Sequence, residues 1–113
     1  SPQAIEKLNW VMLHTSPKQF FLQADWPGMY LPLRLRNPIF MDSIIPGGEN
    51  RPEDITLAIR QLEQKRVQYI LWGARLDSDE SPEDSVKPLR AYLHRNYLPV
   101  HTFADGDRVW ERK

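Results

Sequence analysis

The run Asn50–Trp72, NRPEDITLAIRQLEQKRVQYILW, decides the fold. Ile55, Ala58, Ile59 and Leu62 recur at helical spacing and make one apolar stripe. Asn50 is placed to cap that helix, with Glu53 as its reciprocal partner. Pro52 fits only the first turn, where its missing N–H is not needed. Lys65 and Arg66 fall in the expected last turn, where cations suit the helix dipole. The helical period then stops. Val67–Trp72 is a short, nearly all-apolar run of β-branched and aromatic residues, bounded by Gly73. A helix feeding straight into such a strand implies a strand covered on both faces, the mark of a parallel or mostly parallel sheet.

Size and composition bound the rest. At 113 residues the chain is expected to be a single soluble α/β domain over 1–113 with one core. Fifteen basic residues balance fifteen acidic ones, so net charge gives no reason to expect nucleic acid as a partner. The chain has no cysteine, which excludes disulfides, thiolate catalysis and Cys-ligated metal sites. Its apolar runs fall far short of the roughly 20 residues that span a bilayer, and no signal peptide is visible. It opens at Ser1-Pro2 without methionine, as expected of a processed protein or a piece excised from a longer one. Ten prolines are many, but they sit mainly between the predicted elements and punctuate them.

Outward from the central unit, Ile5, Leu8 and Met12 share a face of a first helix over 3–13, read as packing into the core and not as a membrane-surface face, for which basic residues are too few. Phe20–Leu22 reads as a first strand, followed by a turn at Asp25-Trp26-Pro27-Gly28. Met29–Leu35 fits either a short helix or an edge strand; the helix is preferred because a parallel unit needs a crossover. Ile39–Met41 is the expected second strand. A helix from about Ser85 carries Val86, Leu89, Leu93 and Tyr97 as its buried stripe and holds Pro88 in its first turn, since proline deeper inside costs about 3 kcal/mol. Val100–Phe103 and Arg108–Glu111 flank Asp105-Gly106, the strongest hairpin signal in the chain. The expected architecture is a small three-layer α/β sandwich with a mostly parallel sheet and a C-terminal antiparallel hairpin.

The chemistry is less marked. Gly47-Gly48 precedes a helix but matches no phosphate-binding motif, and Glu49 would repel an anion, so a turn is the better reading. Asp25 and Asp42 both follow predicted strands, where carboxylates can bind a metal, orient a sugar hydroxyl or simply close a turn. His14, His94 and His101 lack metal-ligand spacing, and no serine-nucleophile elbow exists. No catalytic residue, metal site or cofactor is assigned. Trp26 is the candidate exposed aromatic contact, of the kind that stacks on sugars. Tyr30 with Arg34 and Arg36 is a candidate anion clamp, against the simpler reading of a solvated basic edge.

The order of motifs resembles the soluble C-terminal domain that follows the membrane-spanning part of some bacterial glycosyltransferase family 39 proteins, the protein-mannosyltransferase-like enzymes. The resemblance rests on Met29–Pro38 (MYLPLRLRNP), the Pro46-Gly47 loop, Pro52–Leu71, and Tyr97–Arg112. Here Pro32 interrupts the aromatic segment, and Gly48-Glu49 lengthen the loop. The resemblance implies an extracytoplasmic (periplasmic) domain of a multi-pass membrane protein. Its partner would be the membrane-embedded part of the same polypeptide, together with a polyprenyl-phosphate sugar or a glycan acceptor. In that family the acidic catalytic residue lies in the membrane part, and no position of this chain corresponds to it. The implied role is therefore that of a non-catalytic accessory domain, with contacts from Asp25, Trp26, Tyr30, Arg34, Arg36, Asn37 and Asp42. Two rivals stand beside it. A protein-interaction or scaffold module predicts an exposed apolar patch. A small hydrolase-like or nucleotide-binding domain predicts Asp25 and Asp42 converging with His14 or Arg34 in a cleft.

Overall fold

The computed structural model describes residues 1–25, 27–47, 49–77 and 83–113. Its elements run α1 (Pro2–His14), β1 (Leu22–Gln23), α2 (Pro52–Gln64), β2 (Tyr69–Trp72), a 3-10 turn (Ala74–Asp77), α3 (Lys87–Asn96), β3 (Tyr97–Thr102) and β4 (Arg108–Arg112). The strands pair in the order β1-β2-β4-β3. All four residues of β2 are buried, because its alternate side chains enter two cores. Ile70 and Trp72 join Ile55, Ala58 and Leu62 of α2 and Leu89, Tyr92 and Leu93 of α3. Tyr69 and Leu71 join Val11 of α1 with Phe21, Met29, Phe103 and Val109. The domain is thus three layers, with α2 and α3 on one face of the sheet and α1 on the other.

The expectation of a mostly parallel sheet is overturned. Among the described strands β1 and β2 alone pair in parallel; β4 runs antiparallel to both β2 and β3. Burial on both faces makes a strand apolar whatever the direction of its neighbours, so the composition of Tyr69–Trp72 could not choose between the two. The segment Ile39–Met41, expected as a strand, does not join the sheet. Its backbone is held by side chains instead. Asn37 Oδ1 accepts from Ile39 N at 3.1 Å, Asn37 Nδ2 donates to Met41 O at 2.9 Å, and Phe40 N donates to Gln61 Oε1 at 2.9 Å. With those groups engaged, no ladder can form there. Met29–Leu35 forms neither helix nor strand but hydrogen-bonded turns, including Leu35 N to Tyr30 O at 2.9 Å. Arg36 beyond it bridges Phe20 in parallel, just ahead of β1.

Each helix has proline in its first two positions, where no N–H is missed. The expected cap of α2 and the expected start of α3 both lie elsewhere. Arg51, not Asn50, precedes α2, and Val86, not Ser85, precedes α3, neither with a side-chain cap bond. Asn50 and Ser85 are tied to each other instead. Asn50 Nδ2 donates to Ser85 Oγ at 3.0 Å and to the Ile45 carbonyl, and Asn50 Oδ1 accepts from Ile45 N at 3.1 Å. Ser85 N donates to Gly47 O at 2.9 Å. Gly47 has φ 84°, a conformation that glycine adopts without strain. This knot fastens the loop before α2 to the entry of α3. At its other end α2 stops at Gln64, so Lys65 and Arg66 lie past the last turn. Arg66 takes φ 45°, and Val67 N reaches back to Leu62 O at 3.3 Å, a left-handed cap that turns the chain into β2.

At the far end of the sheet, β3 is an edge strand containing Pro99, and its pairing with β4 shifts register between Pro99 and His101. Leu98 and Val100 are exposed on it.

Candidate functional site

The parallel pair sends the C-terminal ends of β1 and β2 to the same side of the sheet. Because β4 opposes β2, with Trp72 paired to Arg108, the hairpin turn Asp105-Gly106-Asp107 arrives at that side too. The first two turns of α1 lie across it. Between α1 and the Gly28–Pro32 turns opens a cleft of about 420 Å³. Ile5, Leu8, Met29, Pro32 and Leu71 give it apolar walls; Gln23, Asp25, Lys7 and Asp107 give it a polar corner.

The polar corner is organised by charge. Lys7 Nζ donates to Asp107 Oδ2 at 2.7 Å and also pairs with Asp105. Burial works against the Lys7 charge, but the two carboxylates outweigh it and hold the ammonium above its ordinary value. The same Lys7 contact holds the Asp105 carboxyl below the usual range. Asp107 Oδ1 accepts from Ala74 N at 2.8 Å, fastening the hairpin to the turn that follows β2. Asp25 Oδ2 accepts from Arg75 Nε at 3.2 Å. Gly73 makes room for Asp25: a Cβ there would lie 2.6 Å from the carboxyl carbon. Burial pushes the Asp25 carboxyl above its ordinary value, the charge of Asp107 adds to this, and Arg75 only partly opposes it.

A raised carboxyl pKa carries a sign. The ionised form is disfavoured in the fold, so the stability tied to Asp25 is full below its unfolded pKa and is lost as pH rises through the folded one. Asp25→Asn is therefore expected to melt a few degrees above the parent at neutral pH, with the gain vanishing in acid. Melting curves from pH 3 to pH 8 check this; a lower melting temperature at neutral pH, or a gain that ignores pH, would refute it.

The other sequence-derived candidates disperse. Tyr30 stands behind the cleft; its hydroxyl accepts from Gln23 N at 2.8 Å, and burial pushes its pKa up to about 12. Arg34 is exposed beside a separate small hollow with Met12 and Thr15. Arg36 lies over the Phe20 ring at 3.9 Å and donates to Lys18 O, so it does not clamp an anion with Tyr30. Asn37 holds its own loop. Asp42 is exposed and is not part of the cleft wall. Trp26 lies outside the described residues. Each histidine stacks on a tryptophan: His14 and His101 on Trp10, at 3.7 and 5.7 Å, and His94 on Trp110 at 5.1 Å. Gln23, Lys7, Arg75 and Asp107 were not among the candidates read from sequence. Asp107 follows the Asp105-Gly106 turn, and the antiparallel placement of β4 is what carries it to the cleft.

Among the described residues no three His, Asp or Glu side chains converge to hold a metal ion, and no helix is long and apolar enough to cross a membrane. Comparison with protein-family models, with curated proteins and with solved structures finds no match.

Proposed function

We propose that this chain is a non-catalytic accessory domain of a membrane-bound, polyprenyl-phosphate-sugar-dependent glycosyltransferase, lying on the extracytoplasmic side and aiding recognition of a sugar-bearing group. The observation that carries the reading is the cleft at the shared ends of β1 and β2, with apolar walls and a hydrogen-bonding corner. Concave sites of this mixed character, lined by apolar groups with a few placed polar ones, are what small-ligand binding requires. The sequence resemblance supplies the membrane context.

A second feature supports contact with a larger partner. Ile5 and Met12 of α1, expected in the core, are exposed instead, as are Leu13 and Leu31. They lie on the helix and turns that border the cleft, and give the domain an apolar surface to rest on the membrane-embedded part of the same polypeptide.

The parent polypeptide tests the reading. Many membrane spans are expected upstream of α1, and removal of the domain is expected to lower sugar transfer to the acceptor while the membrane part still inserts. A parent without membrane spans, or transfer unchanged on removal, would overturn it.

A further inference from the structure

The walls and carboxylates of the cleft leave its ligand open; Gln23 narrows it. Gln23 is only 7% exposed, and its Oε1 accepts from Met29 N at 2.9 Å. That bond fixes the amide, because the flipped form would set NH₂ against N–H. The Nε2 group then points away from Met29 and has no hydrogen-bond partner among the described residues. Among those residues the only wholly enclosed side-chain nitrogen or oxygen lacking a partner is Trp110 Nε1, so Gln23 Nε2 keeps its access to the cleft that Gln23 lines. A nearly buried donor aimed into a cleft calls for an acceptor from outside the chain. Beside it, Asp25 offers carboxylate oxygens that call for a donor.

A hydroxyl answers both, since it donates and accepts. The apolar wall of Ile5, Leu8, Met29 and Pro32 suits the C–H face of a ring carrying such hydroxyls. Charge decides against an anion. Of the charged side chains that line the cleft, Asp25 and Asp107 stand against Lys7 alone, and Lys7 is already paired. A metal cation is disfavoured as well, since Lys7 already lies between Asp105 and Asp107. We infer that the cleft binds a neutral hexopyranose unit, with Gln23 Nε2 donating to one hydroxyl and Asp25 accepting from another, and that it discriminates against a sugar carrying phosphate. This rests on the accessory-domain reading only for the source of the sugar: it selects a glycan acceptor over a phosphate-bearing donor.

The test is titration of the 113-residue chain with methyl α-mannopyranoside, methyl α-glucopyranoside, mannose 1-phosphate and inorganic phosphate, following backbone amide NMR shifts. At least one glycoside is expected to give saturable millimolar shifts at Gln23, Met29 and Ala74, with mannose 1-phosphate weaker. Gln23→Glu keeps the acceptor for Met29 N and removes the free donor; it is expected to weaken binding about tenfold with the spectrum still dispersed. Asp42→Asn, away from the cleft, is expected to bind as the parent does. No saturable shift at those amides, equal binding by Gln23→Glu, or tighter binding of phosphate than of every glycoside would each overturn the inference. The accessory reading would survive such a result if removing the domain still lowered transfer in the parent.

Discussion

Trp72→Ala is expected to remove about 3–5 kcal/mol of stability, a large part of the roughly 5–15 kcal/mol that holds a small domain folded. Trp72 is 1% exposed and sits where β2 meets both α2 and α3. Its truncation leaves a cavity bounded by elements that cannot close in, because β2 is pinned between β1 and β4. The indole also donates from Nε1 to Asp77 Oδ1 at 2.8 Å, fastening the 3-10 turn that follows β2. Trp72→Phe separates the two contributions. It keeps most of the ring and loses the hydrogen bond, so it is expected to cost less than half as much as the alanine variant. Urea unfolding of the three proteins measures both steps. A cost below about 1.5 kcal/mol for Trp72→Ala would mean that this core is not closed as described.

Asn50→Asp gives the second large effect and distinguishes two roles for one residue. As a helix cap, Asn50 would tolerate aspartate with almost no change, since the two cap about equally well. In the knot it is a donor. Asn50 is 6% exposed, and its Nδ2 serves both the Ile45 carbonyl and Ser85 Oγ. Aspartate replaces that donor with an acceptor and sets a nearly buried carboxylate against a carbonyl oxygen. The expected loss is about 2–3 kcal/mol at neutral pH, easing in acid as the carboxyl gains a proton. Equal urea midpoints for parent and variant at pH 7 would restore the capping role and remove the knot.

These two residues also mark what a sequence can carry. The stripe Ile55, Ala58, Leu62, with Ile59 half-buried beside it, and Leu89 and Leu93 of α3 are written in a period that local helix geometry imposes; Val86 and Tyr97 are buried as well, but lie just outside α3, as its cap and as the first residue of β3. The Asp105-Gly106 turn is equally local; Gly106 has φ 92°, and the hairpin forms around it. Asn50 satisfied the local rule for a cap, but its partner Ser85 lies 35 positions away and took precedence. Strand direction is non-local in the same sense, since Tyr69–Trp72 reads alike beside a parallel or an antiparallel neighbour. Asp25 lies just past a strand, a position the sequence shows, and lines the cleft. Its companions were not legible: Lys7 meets Asp107 across 100 positions. Asp42 failed as a partner because the segment before it is held in a loop by Asn37 and never reaches the sheet.

The rim formed by β3 has one further bearing. Leu98 and Val100 would invite a second chain to add itself alongside. Pro99 offers no N–H, however, and the register shift beside it breaks the regular spacing that an added strand must match. Molecules meeting there can touch through greasy side chains but cannot stitch backbone to backbone, so crowding at high concentration should yield brief encounters and not fibrils.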